Sequence, residues 1–151
     1  MKGKLLMTLQ PASNTPPSPS LTYFEVAESL MLGIKALAIT PGTALALALV
    51  SGHALECLLK AYISRNGLDV GSNTVIRHNL KALWFMASGE GLQITAAPPS
   101  WVDRLSSLHN APYEFRYSTW VHGVVLPDAE PMTAELTRLL NVVRENISEG
   151  A

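Results

Sequence analysis

His53, Glu56 and Lys60 stand three and four residues apart in the stretch Ser51 to Tyr62, SGHALECLLKAY. On a helix these side chains share one narrow stripe of an otherwise apolar cylinder. Such a helix has to be buried on its other faces, so the stripe either lines a polar groove or pairs with groups from a neighbouring helix. His-x-x-Glu on one helix is also half of the carboxylate-bridged metal site found in some helical bundles. The chain has no second Glu-x-x-His pair. The spacing therefore predicts a Glu56 to Lys60 ion pair with His53 hydrogen-bonded nearby, and no metal or other cofactor.

Two further groups carry polar chemistry. Arg77-His78 sits at the start of a helical pattern, where either side chain could hold phosphate; alternatively, Asn79 and the loop simply cap the helix. Tyr113, Phe115, Arg116, Tyr117 and Trp120 combine rings with a cation, a composition that stacks bases and holds phosphate. The same residues also suit an extended segment packed on the bundle, with Arg116 paired to Glu56 or Glu114. The expected binding groove is thus His53, Glu56, Lys60, His78, Arg116 and Tyr117. Cys57, set among Leu55, Leu58 and Leu59, reads as inert packing. The sequence holds neither a phosphate-binding glycine loop with Lys nor a nucleophile elbow.

With 151 residues, the chain is long enough for one domain with its own core. Hydrophobic residues make up 48% and charged ones 15%, which is lean in charge and predicts a covering partner, most simply a second copy in a homodimer. A net charge of -1 argues against a strongly basic nucleic-acid clamp and leaves room for a local basic cleft. The single cysteine excludes an internal disulfide and a Cys-based zinc site, and fits a reducing, cytoplasmic compartment. The apolar patch near Met1 is too brief for a secretory signal. Ala36 to Leu55 is uncharged and long enough for a membrane span, but Pro41-Gly42 cuts it and Ser51, Gly52 and His53 dilute it, so a buried core helix and no membrane contact are expected.

Residues 1–20, rich in Pro and Ser from residue 10 onward, form an expected disordered tail, and residues 21–149 the folded domain. Thr22 to Glu25 reads as a capping box opening a first helix with Tyr23, Ala27, Leu30, Ile34 and Leu37 inward, closed by Thr40-Pro41-Gly42. A second, most buried helix is predicted from Thr43 to Arg65, stopped by Asn66-Gly67. A third runs from Arg77 to Ser88 with Leu80, Leu83, Trp84 and Ala87 inward, and a fourth from Ser100 to about Asn110. Tyr113 to Leu126 is predicted non-helical, an irregular arm or small hairpin. Asp128 to Pro131 opens a last helix whose stripe is Met132, Leu136, Leu139, Leu140, Val143 and Ile147. The fold class expected is all-α, an up-and-down bundle of about five helices.

Three stretches, GHALECLLKAYI, RHNLKALWFMA and RLSSLHNAPYEFRY, together resemble the HEPN domains, the higher-eukaryote and prokaryote nucleotide-binding helical bundles. The resemblance covers roughly residues 51 to 117. It implies a helical bundle, frequent homodimers and, in many members, metal-independent RNA cleavage in prokaryotic defence or toxin–antitoxin systems, with an antitoxin-type protein as a possible partner. Nuclease members carry an Arg followed by a His after four to six residues, a spacing that Arg104 and His109 satisfy; those members usually place a polar residue after the Arg, where this chain has Leu105. In that role His109 would move a proton on the ribose 2′-hydroxyl or the leaving oxygen, and Arg104 would brace the phosphate. Five residues along a helix point the two side chains apart, so they meet at one phosphate only near a helix end or across a dimer. The alternatives are a surface Arg with a cap-region His, and a non-catalytic module that binds a nucleotide, RNA or a partner protein.

Overall fold

The computed structural model describes residues 18–67, 70, 76–109 and 125–149. Within them the chain is an all-α bundle of five helices with no strand: α1 (Pro19–Ala38), α2 (Ala44–Ile63), α3 (Leu80–Gly89), α4 (Ser100–His109) and α5 (Ala129–Glu149). The predicted arm from Tyr113 lies outside the described residues up to Val124, and Val125 to Asp128 are non-helical.

Helix α1 starts earlier than the capping-box reading placed it. Ser18 is the N-cap, its hydroxyl accepting from the Leu21 amide, and Pro19 occupies the first turn, where its missing N–H costs nothing. Thr22 lies a turn inside, its hydroxyl donating back to the Ser18 carbonyl. Ser20, expected in a tail, is buried and donates to the Ala61 carbonyl at 2.6 Å. That bond ties the start of α1 to the end of α2, so the two helices run antiparallel. The inward stripe of α1 is Phe24, Ala27, Met31 and Ile34, with Tyr23, Leu30 and Leu37 only partly buried against it.

Pro41 and Gly42 break the chain as the sequence indicates, Gly42 adopting φ 80° and the Thr43 hydroxyl donating to the Leu37 carbonyl at 2.7 Å. Helix α2 then packs on all four other helices. From Ala54 to Ile63 every one of its residues is buried. It is long and apolar enough to cross a membrane, and 67% of its most apolar window is buried inside the bundle, as in a core helix. A 3₁₀ turn, Ser64–Asn66, and Gly67 at φ 91° end it.

The third helix begins later than its apolar pattern suggested. Asn79 caps α3 by accepting from the Ala82 amide, which leaves Arg77 and His78 in the preceding turn rather than on the helix. The predicted inward set Leu80, Leu83, Trp84 and Ala87 is buried, and Trp84 donates its indole N–H to the Thr95 carbonyl at 2.8 Å. In α5, Met132, Leu136, Leu139, Leu140 and Val143 are buried and Ile147 partly so.

If the first turn of α1 is held as described, Ser18→Ala and Ser20→Ala should each lower stability by about 1 kcal/mol, one through the lost cap and one through the lost buried bond. The readout is the urea midpoint. A wild-type midpoint in both variants would mean that the helix begins at Leu21 or later.

Candidate functional site

The polar stripe of α2 starts from a glycine. Gly52, Glu56 and Lys60 succeed one another at four-residue steps, each about 40° further round the helix, and all three are buried. His53 stands about 60° from Glu56 on the side away from Gly52, and it is exposed. The expected hydrogen bond from His53 into the stripe is therefore not made. The imidazoles that do reach Glu56 come from elsewhere in the chain.

Three donors converge on that carboxylate. Lys60 Nζ lies 2.9 Å from Glu56 Oε2, along the same helix. His109 Nε2, from the last residue of α4, lies 2.6 Å from Oε1. His78 Nδ1, from the turn held by the Asn79 cap, lies 3.0 Å from the same Oε1. The two imidazoles meet edge to face, with centroids 6.2 Å apart. Lys60 also sits 5.6 Å above the ring of Tyr23, which spreads part of its charge over an aromatic face.

These contacts set the protonation of the site. Burial alone would raise the Glu56 pKa, but hydrogen bonds from His109, Lys60 and His78 and the charge of Lys60 outweigh it and hold the group down to about 2. An ionised carboxylate only accepts, so His78 carries its proton on Nδ1 and His109 on Nε2. The remaining nitrogens differ in surroundings. His109 Nδ1 packs against Gly52, where a Cβ would stand 3.1 Å away. The glycine is what lets this ring lie along α2. His78 has 64% of its side chain exposed. Burial, with the Glu56 charge adding to it, pushes the Cys57 thiol up to about 11, so it stays protonated and unreactive, as its setting suggested.

Arg104 and His109 do not converge. Arg104 is exposed on the face of α4 that also carries Asp103 and Ser107, whereas His109 lies on the inward side with Val102, Leu105 and Ser106. Of the expected groove, Glu56, Lys60 and His78 come together and His53 does not, while Arg116 and Tyr117 lie outside the described residues. Gly52 was not foreseen. Its position inside a helical run was the signal available, since glycine there costs helix stability and marks a close approach.

Arg77, His78, Lys81 and Arg104 are all exposed, and Lys81 reaches across from α3 to α4 to pair with Asp103 at 3.2 Å. Lys81, Asp103, Ser106 and Ser107 line an open hollow of about 320 Å³. Comparison with family models, with curated proteins and with solved structures finds no match for this chain.

The depressed Glu56 pKa fixes the sign of an acid effect. A carboxyl at about 2 in the folded chain and near its ordinary value of 4.5 in the unfolded chain stabilises the fold above pH 4.5, and that stability is lost as pH falls towards 2. The shift corresponds to about 3 kcal/mol. Urea unfolding between pH 2 and pH 6 should show this loss in the wild type and a flatter profile in Glu56→Gln. Parallel profiles would mean that Glu56 is not the ionised centre of the cluster.

Proposed function

We propose that the chain is a HEPN-like module that binds a phosphate-bearing ligand, RNA or a nucleotide, through the exposed basic residues of the turn before α3, of α3 and of α4, namely Arg77, His78, Lys81 and Arg104, without cutting it through an Arg104–His109 pair. The observation that carries this reading is the use made of His109. Its Nε2 is committed to Glu56 and its Nδ1 is packed against Gly52, so it offers neither nitrogen to a substrate while Arg104 faces solvent on another side of α4. Arg77 and Arg104 are exposed cations suited to a phosphate, and Lys81 is paired with Asp103. A homodimer belongs to the same reading. Leu21 and Leu32 lie on one line of the outer face of α1, 43% and 59% exposed, and Ile39 just beyond the helix is 85% exposed. A cytoplasmic role beside a protein partner in defence or toxin–antitoxin systems is the setting that the HEPN resemblance suggests.

The test is fluorescence anisotropy with a labelled single-stranded RNA in excess chelator, followed by gel analysis of the same RNA. Binding should weaken with salt, Arg77→Ala and Arg104→Ala should each lower affinity about tenfold, and the RNA should be recovered intact. Absence of binding would refute the module. Cleavage lost in His109→Ala and in Arg104→Ala would establish the nuclease instead.

A further inference from the structure

We propose that Glu56, His78 and His109 form a binding site for a divalent transition-metal ion, with zinc the best fit. The proposal goes beyond the phosphate-binding reading and does not depend on it. Its basis is that both imidazoles are directed at one oxygen of Glu56 rather than at one each, and that the third donor, Lys60, occupies the other oxygen. Oε1, His78 Nδ1 and His109 Nε2 all lie within 4.8 Å of one another, and the two nitrogens stand 3.0 Å and 2.6 Å from the oxygen. A tetrahedral ion with bonds of about 2.0–2.1 Å needs its ligand atoms about 3.3 Å apart. Small side-chain adjustments therefore separate this arrangement from a ligand set.

The donors suit that class of ion. Two imidazoles and a carboxylate favour zinc, cobalt or nickel over calcium and magnesium, which prefer all-oxygen shells. Lys60 holds the carboxylate with Oε1 turned towards the imidazoles, the orienting task that neighbouring donors perform around metal ligands. On ligation the proton that each ring nitrogen donates to Glu56 moves, through solvent, to the ring's other nitrogen or into bulk water. The exposed His78 side gives the ion its path in and leaves a fourth position for water. The ammonium of Lys60 opposes the added charge and so weakens the site relative to structural zinc sites.

The experiment uses the full untagged chain, freed of metal by chelator and dialysed. Zinc titrated calorimetrically should bind at one site per chain with micromolar Kd, and cobalt in its place should give the visible absorption of a tetrahedral nitrogen–oxygen site. His78→Ala, His109→Ala and Glu56→Gln should each weaken zinc by at least about tenfold, and His53→Ala should leave it unchanged. His78 is exposed, so its variant remains informative if the other two unfold, with circular dichroism confirming the fold. No binding by the wild type at millimolar zinc would overturn the proposal, as would affinity that survives in His78→Ala.

Discussion

A carboxylate on the most buried helix of a bundle must either give up its charge or gather donors, and Glu56 gathers three. Leaving an ion unpaired there would cost several kcal/mol even after relaxation. Lys60 supplies a full charge from one turn away at 2.9 Å, and the imidazoles of His78 and His109 satisfy the other oxygen. Each donor belongs to a different part of the architecture. The carboxylate thereby fixes where the turn before α3 and the end of α4 dock on α2, in a way that apolar contacts, which have no direction, do not.

That requirement also explains the glycine. An interior helical Gly is about 1 kcal/mol poorer than Ala, and α2 accepts the loss at position 52 because a methyl group would press on His109. The opposite solution appears at the ends of the bundle, where local bonds suffice. Ser18, Asn79 and Thr43 satisfy helix-terminal groups with their own side chains, and none of them needs a long-range partner. Where the charge is buried, at Glu56, two of the three donors come from distant parts of the chain.

How far the sequence could be read follows from the range of the forces involved. The helices, the break at Pro41-Gly42 and the inward residues of α3 and α5 rest on local periodicity and turn chemistry, and they were legible. So was the Glu56–Lys60 pair, whose two members are four residues apart on one helix. The start of α1 was placed late because Thr22 to Glu25 imitates a cap, whereas Ser18-Pro19 is the stronger one: a side-chain bond combined with a proline already shaped for the first turn. The exchange of His53 for His78 and His109 was not legible. Spacing along one helix puts His53 close to Glu56, but an imidazole 53 residues away reaches it only once the tertiary packing of α4 on α2 is known. Arg104 and His109 show the same limit, a literal motif spacing whose two side chains point to different faces.

The account stands on Glu56 as the ionised acceptor of two imidazole protons. Nitrogen-15 NMR of the ring nitrogens in the metal-free chain at neutral pH tests this directly. The expected result is a proton on Nδ1 of His78 and a proton on Nε2 of His109, with both signals displaced in Glu56→Gln. His78 carrying its proton on Nε2, unmoved by that substitution, would contradict it.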